Sequence, residues 1–131
     1  MQLSKQHFRA TILHGDQHGR TIGFPTINMD PELWSSEFQP GVYASRVTIS
    51  GETYIGALYF GPRTIKSETK NVLEITLLDF SAEIYDQVVV VEVGDFIRAP
   101  IVYEPGSFSE AKLQQQIASD VAQIQKLNSQ S

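Results

Sequence analysis

The sequence predicts a β-rich fold, a closed antiparallel β-barrel with one α-helix packed alongside it. Two observations carry this prediction. Several short segments alternate apolar and polar residues and are separated by turn residues, as in 41–49 and 53–60, which flank the hairpin turn signal Ser50-Gly51-Glu52. The last part of the chain then changes to a helical period. Several short antiparallel strands followed by one helix are typical of a small closed barrel.

Five segments have the pattern of strands. They are residues 8–13, 41–49, 53–60, 72–80 and 87–97. We expect 61–63 (Gly-Pro-Arg) to end the third strand, and 29–40 to be an irregular connection that Trp34 and Phe38 attach to the core. The valines at 88–91 are apolar on both faces, so the last strand should be central.

The helix is predicted at about 108–127. Ser107 and Glu110 fit a capping box, in which each side chain bonds the other residue's backbone N–H. The apolar stripe that follows has spacings of 4, 4 and 3 and consists of Leu113, Ile117, Val121 and Ile124. This stripe is expected to dock on the sheet rather than to bind a partner.

Length and composition indicate a single domain, residues 1–131, with the barrel at about 6–103. Of the 131 residues, 41% are hydrophobic and 19% charged. The net charge of −5, without a Lys/Arg cluster, argues against nucleic acid as a partner. The chain has no cysteine, and neither a membrane-length apolar run nor a secretory signal is evident. We therefore expect a cytoplasmic monomer without membrane partners.

Glycines recur every fourth residue in the loop after the first predicted strand, at Gly15, Gly19 and Gly23. Glycine permits positive φ, and successive N–H groups can then form a concavity that suits a phosphate. Pro25 stiffens the exit from this loop. The pattern is neither the P-loop nor the dinucleotide fingerprint, so the residues of the loop alone favour an ordinary loop over a phosphate site.

Thr26 and Asn28 follow the loop and project to the same side if the backbone is extended there. Both carry the hard oxygen ligands that Mg²⁺ accepts. Ile27 between them should face inward. The loop and these residues together have the features of a phosphate cradle with a metal clip at its end.

Glu74 lies in a predicted strand among apolar residues, where glutamate is uncommon. It is either an exposed residue on a half-wet barrel wall or a positioned carboxylate. If its face closes on the glycine loop, the carboxylate can accept the proton of an attacking hydroxyl. Spacing alone leaves both alternatives open.

Taken together, these residues resemble the riboflavin kinase family over about residues 11–120. The resemblance rests on an ordered set of short motifs. They are His14-Gly15, Gly19-Arg20-x-x-Gly23-Phe24-Pro25-Thr26-x-Asn28, residues 40–44, 74–80, Ile84-Tyr85, Phe96-Ile97-Arg98 and 113–120. The resemblance implies an all-β closed antiparallel Greek-key barrel with one C-terminal helix. It also implies transfer of the γ-phosphoryl group of ATP to riboflavin, giving FMN and ADP with Mg²⁺.

The resemblance assigns roles to individual residues. Glu74 corresponds to the catalytic carboxylate that activates the ribityl 5′-hydroxyl, and we expect it across the cleft from Thr26 and Asn28, which hold Mg²⁺. Arg98 matches an arginine near the flavin. The ATP-binding residues implied in this way are Gly15, Gly19, Arg20, Gly23, Pro25 and Thr26.

The chain departs from the family pattern at several places. Ile27 replaces the usual alanine of the clip, and segments 59–65 and 99–106 differ from those of many relatives. A non-catalytic flavin- or nucleotide-binding barrel is therefore the alternative function, and a plain interaction module is a third. Since the chain starts shortly before the first strand, we expect it to lack the FAD synthetase domain that bacterial relatives often carry.

Overall fold

In the part of the chain that the structure describes, six antiparallel strands form one curled sheet, a half-barrel, with one long helix against its outside. The computed structural model describes residues 6–13, 26–62, 70–78, 87–101 and 110–129. The elements are β1 (His7–Thr11), β2 (Thr26–Met29), β3 (Gly41–Ile49), β4 (Glu52–Pro62), β5 (Asn71–Leu77), β6 (Val88–Arg98) and α1 (Glu110–Ser129).

The strands lie in the order β1-β6-β3-β4-β5-β2. The central position predicted for β6 is confirmed, since β1 and β3 flank it. Its valines nevertheless alternate: Val89 and Val91 are fully buried, whereas Val88 is 59% exposed. The two edges approach each other beyond β1, where the Leu13 N–H donates to the Asn28 carbonyl at 2.7 Å.

β3 and β4 form the predicted hairpin. Ser50 and Gly51 have φ of 51° and 83°, the positive values that a two-residue turn of the type I′ class requires. β4 ends at Pro62, within the segment 61–63 that the sequence predicts to end it, but it runs two residues beyond the predicted bound of 60, and Pro62 still pairs with Asn71 of β5. A proline is tolerated there because it is the last residue of the strand and lacks only a donor.

The connection 29–40 contains more regular structure than the sequence indicates. Met29 ends β2, a strand absent from the predicted set, and Pro31–Leu33 is a short 3₁₀ helix. The prediction that Trp34 and Phe38 attach this segment to the core is confirmed. The Trp34 ring stacks on that of Phe60 with centroids 5.1 Å apart, and its Nε1–H donates to the Phe38 carbonyl at 3.0 Å.

The main core fills the inner face of the curled sheet. Its fully buried side chains include Ile12, Val47, Leu58, Leu73, Ile75, Leu77, Val89, Val91 and Val93. Since side chains alternate between faces along a strand, the residues between these positions lie on the outer face. The inner face is thus apolar, and the outer face is left for the helix and for polar groups.

α1 packs on the outer face through Ile124, which contacts Ala44 and Ala57. These two small residues allow the helix to approach β3 and β4 closely. Val121 is also buried and Ile117 is half-buried, as the stripe predicts. Ser107 and the side chain of Leu113 lie outside what the structure describes. Among the described residues, no helix combines the length and the apolar character needed to cross a membrane.

Candidate functional site

A lateral row of side chains crosses the outer face from β2 to β6, and we call it the outer-face row. Its members are Asn28, Glu74, Tyr59, Val42 and Arg98. Each is the direct cross-strand partner of the next, and directly opposed residues share one face of a sheet. The register therefore brings together three residues that the sequence singled out, from strands far apart in the chain.

Asn28 is directly opposite Glu74, and Thr26 is opposite Thr76, two residues further along β5. Directly opposed Cβ atoms lie about 4.5–5.5 Å apart and diagonal ones about 7–8 Å. Thr26 and Asn28 are therefore neighbours of Glu74 on the adjacent strand, whereas we expected them across a cleft from it. The inward orientation predicted for Ile27 is confirmed, because only 3% of it is exposed.

Glu74 itself is half-buried. It is not a core residue, since its strand neighbours Leu73 and Ile75 take the inner face with 1% and 0% exposure. It is not fully exposed to solvent either. A half-buried carboxylate bordered by Asn28 on one strand and Tyr59 on the other can accept a hydrogen bond or a proton from a ligand on the outer face.

Tyr59 is the member of the row that the sequence reasoning missed. Its hydroxyl donates to the Pro62 carbonyl, which fixes the ring over the end of β4. The pKa of Tyr59 is raised to about 12, first by burial and then by the neighbouring Glu74 charge, while the Arg98 charge acts in the opposite direction. The phenol is therefore neutral at physiological pH, and its pKa depends on the charges of both Glu74 and Arg98. The sequence drew attention to Tyr59 only indirectly, because segment 59–65 departs from the family pattern.

The raised pKa of Tyr59 predicts a pH dependence of stability. Between the ordinary pKa of about 10 and the folded value of about 12, the folded state binds more protons than the unfolded state, so the free energy of unfolding falls as the pH rises. Tyr59→Phe removes this contribution. Urea unfolding at pH 9 and 11 should show a smaller fall for the variant than for the unsubstituted protein, and equal falls would contradict the assignment.

Arg98 closes the other end of the row with a bidentate ion pair to α1. Its Nε and Nη2 each donate to one oxygen of Asp120 at 2.9 Å, and Nη1 donates to the Ala99 carbonyl at 3.1 Å. Gln116, one helical turn before Asp120, donates its amide N–H to the same carboxylate at 3.1 Å. Asp120 is only 4% exposed. The sequence does contain a sign of this burial, because Asp120 directly precedes Val121, a residue of the apolar stripe that faces the sheet.

The remaining predicted residues lie outside the described part of the chain. They are Gly15, Gly19, Arg20, Gly23 and Pro25. Within the described part, no three His, Cys, Asp or Glu side chains cluster as a metal site. The metal-ligand prediction therefore depends on Thr26 and Asn28, next to the carboxylate of Glu74.

Curated relatives of this chain are riboflavin kinases. It is 39% identical over 104 residues to the bifunctional riboflavin kinase/FMN adenylyltransferase of Haemophilus influenzae, covering 79% of this chain and 33% of the relative. It is 34% identical over 96 residues to the protein of the same description from Listeria monocytogenes, with 72% and 31% covered. The RNA-binding riboflavin kinase RibR of Bacillus subtilis is 30% identical over 117 residues, with 88% and 48% covered. The chain thus spans about a third of the length of the bifunctional relatives.

A solved structure and a family model complete the comparison. The crystal structure of a protein described as a macrolide-efflux protein from Streptococcus pneumoniae has a TM-score of 0.70 and 28% identity, covering 88% of this chain and 37% of that one. The family model for flavokinase, riboflavin kinase, matches residues 4–128. On this match across nearly the whole sequence, the chain belongs to the riboflavin kinase family.

Proposed function

We propose that this chain transfers the γ-phosphoryl group of ATP to the ribityl 5′-hydroxyl of riboflavin. The observation that carries the proposal is the position of Glu74, directly opposite Asn28 on the outer face of a chain of this family. A new bond forms between the 5′-oxygen and the γ-phosphorus, and the bond from that phosphorus to the β,γ-bridging oxygen breaks. FMN and ADP leave, and the hydroxyl proton passes to a base.

Glu74 is the proposed base. Phosphoryl transfer needs positioning and neutralisation of charge more than covalent chemistry from the protein. A half-buried carboxylate next to an amide and a phenol has the acceptor capacity for the hydroxyl proton. Arg98, at the far end of the row, is the proposed flavin-binding residue.

The described donors fit a magnesium ion that arrives with ATP. Mg²⁺ keeps several waters and is usually held by few protein ligands together with substrate phosphates. The Thr26 hydroxyl and the Asn28 amide supply such oxygens from one face of β2, beside the Glu74 carboxylate. A Mg²⁺ ion held by these residues would supply positive charge that offsets the negative charge developing on the phosphates. We extend the ATP site to Gly15, Gly19, Arg20, Gly23 and Pro25 on the resemblance alone.

Our proposal for the whole fold is a closed Greek-key barrel forming one domain over 1–131. It is supported by the Leu13–Asn28 bridge between the two edges of the sheet. We further propose a cytoplasmic monomer. The net charge of −5 argues against nucleic acid as a partner of this chain, although RNA binding is part of the description of one relative.

The function is tested by combining a binding and a turnover measurement on the same preparation. Quenching of riboflavin fluorescence reports binding, and chromatography after incubation with ATP and Mg²⁺ reports FMN. Binding with FMN formation is the expected result. Binding without FMN would favour the alternative, a non-catalytic flavin- or nucleotide-binding barrel, for which the altered segment 59–65 is the specific reason.

Asn28→Ala tests the metal clip. We expect turnover to fall at least about tenfold at limiting Mg²⁺, with partial recovery at high Mg²⁺, because loss of a ligand weakens metal binding. The fold should persist, since the Asn28 side chain lies on the outer face and only its backbone carbonyl bonds Leu13. Initial rates over a Mg²⁺ titration provide the measurement.

Asn71→Ala is the matched control, an exposed asparagine at the start of β5. It should leave the Mg²⁺ dependence unchanged. If Asn28→Ala retains full activity and an unaltered Mg²⁺ titration, the clip assignment is wrong.

A further inference from the structure

The Arg98–Asp120 pair is held more tightly than helix packing requires. Two guanidinium nitrogens meet two carboxylate oxygens, both at 2.9 Å, and Gln116 donates to the same carboxylate from one turn earlier on α1. Bidentate pairing fixes the plane of the guanidinium as well as its position. The helix therefore determines the direction in which the free edge of Arg98 faces.

Stability alone does not account for this arrangement. Asp120 is 4% exposed, and removing two charges from water offsets most of the attraction between them. Apolar residues of similar volume often stabilise a fold as well as a buried ion pair does. α1 already docks through Ile124 on Ala44 and Ala57. The orientation of Arg98 is what the pair adds.

The pair also changes what Arg98 can offer a ligand. Asp120 compensates its charge, so the guanidinium adds little net attraction for a phosphate. Within the described part of the chain, Asp120 and Ala99 engage three of the five N–H groups of Arg98, and the other two can donate to a ligand. Directional donors without net charge suit an uncharged acceptor, such as a ring carbonyl.

The position of Arg98 in the outer-face row agrees with such an acceptor. Arg98 on β6 and Glu74 on β5 are three strand spacings apart, or about 14 Å along the sheet. Riboflavin carries its ring carbonyls on the isoalloxazine system and its reacting hydroxyl at the tip of the ribityl chain, so the two groups are well separated. A donor at one end of the row and a base at the other, both on long side chains that can reach toward each other, suit two separated groups of this kind.

We infer that Asp120, assisted by Gln116, is a positioning residue that orients Arg98 toward a carbonyl oxygen of the riboflavin ring and not toward the phosphates of ATP. This inference rests on the proposed function. It makes α1 part of the flavin site through Asp120 and Gln116, which act on Arg98 and not on the reacting atoms.

Asp120→Asn removes the charge and one acceptor while keeping the shape of the side chain. The dissociation constant of riboflavin, from fluorescence quenching, should rise about tenfold, because the guanidinium loses its fixed plane. The KM for ATP and kcat at saturating riboflavin should stay within about twofold. Arg98→Lys should weaken riboflavin binding similarly, and the double variant should be no worse than either single one, since the two residues act as a unit.

Gln116→Ala provides a second test in case Asp120→Asn does not fold. It removes one hydrogen bond to Asp120 and should weaken riboflavin binding about threefold. Gln115→Ala is the matched control, the same substitution at the neighbouring exposed position of α1, and should leave the affinity unchanged.

Unchanged riboflavin affinity in Asp120→Asn, or in Gln116→Ala if that variant carries the test, would overturn the inference. Equal losses of affinity for riboflavin and for ATP would overturn it too, because they would indicate that Asp120 has a general structural role. Both outcomes leave the proposed function intact if the unsubstituted protein still makes FMN. Absence of riboflavin binding by the unsubstituted protein would refute the inference and the proposed function together.

Discussion

The kcat of a Glu74→Gln variant is expected to be about 10²–10⁴-fold lower than that of the unsubstituted protein, the usual contribution of general-base assistance. Glutamine keeps the size of the side chain and its place opposite Asn28 and Tyr59, but it cannot accept the proton of the ribityl hydroxyl. Riboflavin affinity should change little, since the proposed flavin donor Arg98 lies at the other end of the row. Steady-state kinetics at saturating ATP and riboflavin, with a binding titration alongside, give both quantities.

Glu52→Gln is the control for this substitution. Glu52 is an exposed strand glutamate beside the hairpin turn, and its oxygen accepts from the Tyr54 hydroxyl, which a glutamine oxygen can also do. We expect stability within about 0.5 kcal/mol of the unsubstituted protein and unchanged turnover. A Glu74→Gln variant with unaltered kcat would show that another group serves as the base.

The largest expected effect on stability is that of Gly41→Ala, at the start of β3. A Cβ atom there would overlap the Arg98 carbonyl oxygen and lie 2.6 Å from Cε1 of Phe96, and the φ of +154° disfavours any side chain. Overpacking and backbone strain together should lower the free energy of unfolding by roughly 3 kcal/mol. For a domain of this size, thermal unfolding should shift down by about 10 °C.

Gly51→Ala measures the cost of backbone strain at a positive φ without the steric overlap present at Gly41. Gly51 also has a positive φ, of +83°, but a Cβ atom there meets nothing within 4 Å. This variant should lose only roughly 1–2 kcal/mol, the usual cost of a left-handed non-glycine residue. If both variants unfold at the same temperature, the close contact of Gly41 with β6 is not the reason that glycine is needed at this position.

Most of the strands could be predicted because their local patterns are strong. The segment 41–49 alternates and is followed by a turn signal, and the structure has β3 at the same bounds. The missed strand β2 and the two further residues of β4 concern short-range signals that tertiary pairing overrides. β2 has only four residues, and Gly61 and Pro62 interrupt the pattern of β4 although both pair with β5.

The candidate site could be predicted only in part. Glu74 stood out because a carboxylate among apolar strand residues is unusual, and Asn28 because it follows a glycine loop. Their pairing depends on the register between β2 and β5, which is set by the whole sheet. Tyr59 and Asp120 were missed for the same reason, because strand order and helix docking place them there.

The most direct test of the central claim is the amount of FMN and ADP formed by the purified chain from riboflavin, ATP and Mg²⁺. We predict equal amounts of the two products, appearing together and abolished when riboflavin, ATP or the metal is omitted. Product amounts by chromatography over a time course give the ratio. ADP formation without FMN, or no product from a preparation that binds riboflavin, would contradict the account.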